Sequence, residues 1–266
     1  MEFRRLAAPM PPSANATREL FGRLTRQARR TSKNPDAAQV HKLRVAIRRF
    51  SQALALLPED MPGFRKIQRK LKNTLSLAGQ VRDADVAIKL VARLKPAGVK
   101  ALQARLSRRR TRSETRLLDS LRDLTVRRAI EPPAATAPPA QDAMVHAAKR
   151  LFKRGARAED SKGLHRLRIA AKKLRYTLEL LAPHTGRLPQ IERLQSLLGA
   201  INDYETARRM VAEESGSKKL LGQLADQQRK KIRQFRRYWK SHFEGEDNVR
   251  KWMEDVSHAG RRAAAA

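Results

Sequence analysis

Cysteine is absent from the 266 residues, which excludes disulfides, thiolate metal sites and a cysteine nucleophile and suits a reducing compartment. Aromatic residues are scarce: seven Phe, three Tyr and two Trp make up 5% of the chain, few for a surface that stacks bases. The twelve glycines are scattered, and no G-x-x-x-x-G-K-[ST] loop exists to cradle a nucleotide phosphate. Long apolar runs are missing as well. ALALL at 53–57 is typical of the longest, far below the ~20 residues that span a bilayer, and the first twenty residues hold no apolar run of signal-peptide length. Negative charge is the last shortage, with 26 Asp and Glu against 59 Lys and Arg, a net charge of +33. Self-repulsion on this scale opposes compaction and usually persists because a polyanion binds there. Hydrophobic residues at 41% suffice for packed cores. The expectation is a cytoplasmic, helical binder of something very acidic, in one or two domains.

What is present is organised twice. EPPAATAPPAQD at 131–142 carries four prolines, which remove backbone donors and stop a helix, so it reads as a semi-rigid linker. It divides the chain into a first unit, 15–130, and a second, 143–258. VHKLRVAIRRFSQALALL at 40–57 matches LHRLRIAAKKLRYTLELL at 164–181, sharing the His, Leu, Arg and Ala positions and three leucines. LSLAGQVRDADVA at 75–87 matches QSLLGAINDYETA at 195–207. More weakly, Leu102, Leu106, Leu117 and Leu121 recur as Leu220, Leu224, Phe235 and Trp239. Three ordered matches predict a tandem internal duplication.

Apolar residues recur at three- and four-residue intervals with no sustained alternation, so the fold class expected is all-α. The pattern predicts helices near 15–31, 37–57, 63–94 (with a bend at Gly79) and 98–128. The second unit repeats them near 141–157, 161–182, 189–213 and 217–243, followed by a short helix near 246–258. Four antiparallel helices per unit make two four-helix bundles, related by pseudo-two-fold symmetry.

At 100° per residue, His41, Arg44, Arg48 and Gln52 lie on one face of the second helix, opposite Leu43, Ile47, Phe50, Leu54 and Leu57. His165, Arg168, Lys172, Arg175 and Tyr176 form the corresponding ridge in the second unit, opposite Leu167, Ala171, Leu174, Leu178 and Leu181. Cations three and four residues apart repel. That cost, incurred twice at equivalent positions, is reasonable if an anion lies along each ridge.

H-x-L-R-V-A-x-R-R, H-x-L-R-I-A-x-K-K and the following G-x-V-R-D-x-D and G-x-I-N-D-x-E resemble the CHAD family, the conserved histidine α-helical domain, over roughly 15–258. The resemblance implies two bundles with a basic cavity or groove between them, binding of inorganic polyphosphate and association with polyphosphate granules. Carried over by position, the polyphosphate-facing candidates are His41, Arg44, Arg48, Arg49, His165, Arg168, Lys172, Lys173 and Arg175. Ser51 stands where the second copy has Arg175, and Lys172 and Lys173 replace arginines, so the half-sites are unequal. A linear phosphate polymer offers only closely spaced anionic oxygens, which suits bidentate Arg and mobile Lys. Arg82, Asp83, Asn202 and Asp203 are supporting candidates, as helix caps or partners of a ridge arginine, and Tyr176 is another.

Asp83 with Asp85, and Asp203 with Glu205, read as ion-pair partners in preference to a metal site, because carboxylates two apart on a helix diverge. His146, His184, His242 and His258 have no repeat partner and are expected on surfaces. No H-E-x-x-H occurs, so neither a metal nor a cofactor is expected. E-x-E-x-K, the alternation of a triphosphate tunnel hydrolase, is missing, which points away from an enzyme. Non-specific binding of DNA or RNA is the main alternative that the charge supports.

Overall fold

In the computed structural model, residues 14–55, 64–94, 98–125, 140–214 and 217–265 are described, and they contain nine helices and no strand. They are α1 (Ala14–Lys33), α2 (Ala37–Leu54), α3 (Phe64–Leu94), α4 (Val99–Thr125), α5 (Ala140–Gly155), α6 (Ser161–Leu181), α7 (Leu188–Glu213), α8 (Lys218–His242) and α9 (Glu246–Ala265). Most of the proline-rich linker lies outside the described residues. Its last three positions, expected to be linker, form the first turn of α5.

Side-chain caps start several helices by satisfying amides that have no intrahelical acceptor. Asp36 accepts from the Gln39 amide at 2.7 Å, Asp160 from Gly163 at 2.6 Å and Ser217 from Leu220 at 3.3 Å. Gly245, at φ 87°, makes the left-handed turn between α8 and α9, a conformation that costs other residues a Cβ clash.

The described residues of the leucine stripes are buried as their spacing requires, Leu181 only partly, and Leu57 lies outside the described residues. Leu43, Ile47, Phe50 and Leu54 join a first core with residues of α1, the N-terminal part of α3 and the C-terminal part of α4. Leu167, Ala171, Leu174 and Leu178 join a second with α5, the N-terminal part of α7, Phe235 of α8 and Trp252 and Val256 of α9. The ninth helix is thus a full member of the second bundle, and it runs seven residues past the short helix expected.

A third core was not anticipated. Ala84, Ala87 and Val91 of α3 and Leu102 and Leu106 of α4 pack with Ala207, Met210 and Val211 of α7 and Leu220 and Leu224 of α8. The long helices α3 and α7 therefore each serve two cores, changing allegiance between Val81 and Ala84 and between Ile201 and Ala207. The two halves also touch directly along α2 and α6, where Gln52 Nε2 donates to Thr177 Oγ1 at 3.1 Å. No helix among the described residues is long and apolar enough to cross a membrane.

Candidate functional site

Where α3 and α7 change cores, their polar residues open onto a cavity of about 1130 Å³ bounded by α2, α3, α6 and α7. His41, Arg44 and Arg48 reach it from α2, and His165, Arg168 and Lys172 from α6. Arg82 and Asp83 of α3 and Asn202 and Asp203 of α7, the supporting candidates of the sequence pattern, line it as well. Nine Lys or Arg side chains line the cavity against three carboxylates, so it is strongly electropositive.

Burial at this charge density leaves a clear electrostatic signature. The Lys172 ammonium is pushed down to about 6, first by desolvation and then by Arg48, Arg168 and Arg44. Arg44 is lowered to about 10, chiefly by desolvation and then by Arg48. Arg168 is lowered for the same two reasons. His41 is lowered by desolvation and by Arg82, Arg44 and Arg48, and His165 by desolvation and Arg168, partly countered by its hydrogen bond with Asn202. Asp83 and Asp203 are raised by burial despite the arginines around them.

Two donors inside this wall have no acceptor. Arg44 Nη1 and Arg168 Nε are buried without a hydrogen-bond partner, a condition that costs about 1–3 kcal/mol per group, more for a charged one. The guanidinium of Arg44 lies over Gly79, where a Cβ would stand 3.0 Å from Nη1. The side-chain-free surface of α3 at Gly79 thus makes room for the arginine. Arg44 and Arg168 are the two positions that aligning 40–57 with 164–181 pairs.

Four sequence candidates lie outside the cavity wall. Arg49 Nε donates to Glu179 Oε2 at 3.1 Å. Arg175 donates to Glu179 Oε1 at 2.6 Å and to Gln195 Oε1 at 3.2 Å, with Glu192 3.0 Å from its Nη2. Lys173 is half-buried away from the cavity, and Tyr176 is buried at 8% exposure. The physical reason is the contact between α2 and α6. It covers the C-terminal parts of both ridges, so only the N-terminal parts face the cavity. Arg49 also stands about 80° around the helix from His41, on the flank turned to the other half.

Of the remaining acids, Asp85 is an ion-pair partner, accepting from Arg110 Nε at 2.8 Å, whereas Glu205 lines the cavity and accepts from Ser161 Oγ. Repeat-based reasoning missed the cavity residues Lys162, Arg166, Arg208 and Arg209. Ala38 and Ile88 occupy the places equivalent to Lys162 and Arg208, so no duplication drew attention to them. Arg166, matched by Lys42 inside the H-x-L-R signature, and Arg209, matched by Lys89 just past the second motif, carried a readable signal.

A basic cavity bordered by two long helices, α3 and α7, that each pass from their own core into a common third one defines a class, and comparison with known proteins identifies it. The sequence pattern of the CHAD domain matches residues 15–212. The chain belongs to the CHAD domain family. The match ends within α7, short of α8 and α9. The crystal structure of the CHAD domain from the plant Ricinus communis is similar at 22% identity and a TM-score of 0.60, over 96% of this chain and 94% of that one. PptA from Streptomyces chartreusis is similar at 17% identity and a TM-score of 0.65, over 88% of this chain and all of that one. These two likenesses concern the fold. No curated protein matches the sequence.

Proposed function

We propose that this protein binds inorganic polyphosphate in the cavity between α2, α3, α6 and α7, as a non-catalytic module that attaches to polyphosphate granules. The observation that carries the reading is the pair of buried arginine donors, Arg44 Nη1 and Arg168 Nε, left without acceptors in a wall of nine cations. Phosphate oxygens would satisfy both donors and neutralise the cation repulsion that adds to desolvation in lowering Lys172 and Arg44. Membership in the CHAD family supports the same ligand. Stacking plays no part in this reading, because among the described residues no aromatic side chain other than the histidines lines the cavity.

The test is competition for labelled long-chain polyphosphate by DNA, RNA and orthophosphate at fixed ionic strength. Polyphosphate should be displaced by unlabelled polyphosphate at far lower phosphate concentration than by either nucleic acid. Displacement at comparable phosphate concentrations would replace this reading with general polyanion binding. Incubation with polyphosphate should release no orthophosphate; release that disappears in the Arg44→Ala, Arg168→Ala variant would make the protein an enzyme.

A further inference from the structure

The wall of the cavity is one-sided. On α6 and α7 it continues outward through Lys162, Arg166, Arg208 and Arg209, all four exposed. Lys162, Arg166 and Arg208 have no ion-pair partner among the described residues, and Arg209 makes only a long contact, 3.6 Å, to Glu213. The corresponding side of the first half is built differently. Ala38 and Ile88 stand in place of Lys162 and Arg208, and Lys42 and Lys89, equivalent to Arg166 and Arg209, do not line the cavity. Lys42 borders a separate hollow of about 340 Å³ between α1 and α2, where the other cations are already engaged: Arg23 with Glu19 and Arg49 with Glu179. An anion crossing that hollow would have to displace carboxylates, whereas one crossing the α6–α7 rim meets unpartnered cations.

We infer that a long polyphosphate chain anchored in the cavity leaves it over the α6–α7 rim alone, and that Lys162, Arg166, Arg208 and Arg209 set the preference for long chains over short ones. This rests on the polyphosphate reading above. Tripolyphosphate fits within the central wall and gains little from the rim. A long polymer adds contacts outside the cavity at high effective concentration, since its anchored part holds the next phosphates nearby. The rim side chains are exposed, so truncating them opens no core cavity.

The experiment measures binding of tripolyphosphate and of a polymer of several hundred phosphates to three proteins: the unaltered chain, Lys162→Ala with Arg166→Ala and Arg208→Ala, and Lys42→Ala with Lys89→Ala. The triple variant should lose about tenfold or more for the long polymer and several-fold less than that for tripolyphosphate. The long-polymer salt slope should shrink by about one per cation removed. The double variant should match the unaltered chain with both ligands. Equal losses for the two ligands in the triple variant, an unchanged long-polymer affinity, or a comparable loss in the double variant would each overturn the one-sided exit while leaving the central site standing. Failure of the unaltered chain to bind either ligand would overturn the site itself, and the exit with it.

Discussion

Lys172 is held without a counter-ion of its own, between Arg44, Arg48 and Arg168, with Asp203 as a weaker opposing influence. An unfolded chain keeps a lysine near 10.5, and folding lowers this one to about 6. Between those values the unfolded state binds the extra proton, so Lys172's contribution makes stability rise with pH from about 6 towards 10 and leaves it flat below. Unfolding free energies measured between pH 6 and 9 should show this slope, and Lys172→Met should remove it. Bound phosphate would raise Lys172 again, so binding near pH 7.5 should take up protons. Calorimetry in buffers of different ionisation enthalpy should record less uptake for Lys172→Arg than for the unaltered lysine. A second prediction separates two kinds of cation that the ridge pattern could not distinguish. Arg44→Ala with Arg48→Ala should weaken polyphosphate binding by about 1.5–3 kcal/mol per lost contact and hold or raise the melting temperature, because like-charge repulsion is relieved. Glu179→Gln should lower stability by about 1 kcal/mol, as expected for a partly exposed pair, and leave polyphosphate affinity unchanged, since Glu179 ties Arg49 and Arg175 together outside the cavity. Periodicity put His41, Arg44, Arg48, His165, Arg168 and Lys172 on the faces that line the cavity, because side-chain direction follows helix phase. Helix phase also put Arg175 and Tyr176 on the second ridge and the family motif added Arg49 and Lys173; all four lie outside the cavity wall, because neither phase nor motif position says which stretch of a ridge another helix covers.

At the scale of the element, the helices were legible from three- and four-residue apolar spacing, and their starts agree closely with the caps at Asp36, Asp160 and Ser217. The double use of α3 and α7 was not. Ala78, Val81, Ala84, Ala87 and Val91 form one unbroken periodic stripe, and nothing in it marks where one core ends and the next begins. The change of partner is a tertiary fact, decided by how α4, α7 and α8 approach. Close approach elsewhere is written in glycine. A Cβ at Gly155, the last residue of α5, would overlap the ring of Trp239, and the helix end relies on that contact. Gly155→Ala should therefore destabilise the protein by about 1–3 kcal/mol through overpacking, read as a lower denaturation midpoint. Gly199, the repeat equivalent of Gly79, has open space beside it, so Gly199→Ala should leave stability nearly unchanged. The two glycines that the sequence alignment pairs thus serve different ends: Gly79 admits an arginine, and Gly199 borders the cavity.

For the molecule as a whole, the third core has the largest consequence. Leu106 and Leu224 are fully buried in it, far along the sequence from either histidine ridge. Leu224→Ala should cost about 2–5 kcal/mol, and because α3 and α7 continue from that core into the cavity wall, it should also weaken polyphosphate binding. A normal affinity in that variant would mean the cavity is set by α2 and α6 alone. The sequence pattern reads as two units and a linker that together make one CHAD-like domain, and α3, α4, α7 and α8 contribute residues from both halves to a shared cluster. The two tryptophans then acquire an unplanned use. Trp239 and Trp252 both sit in the second core, beside Phe243, and the first core contains none. Intrinsic fluorescence is therefore a lamp fixed in one half of the molecule, while circular dichroism averages over both. If the shared cluster couples the halves, the two signals must fade together as denaturant rises, and a lamp that dims before or after the helical signal would time the parting of the halves.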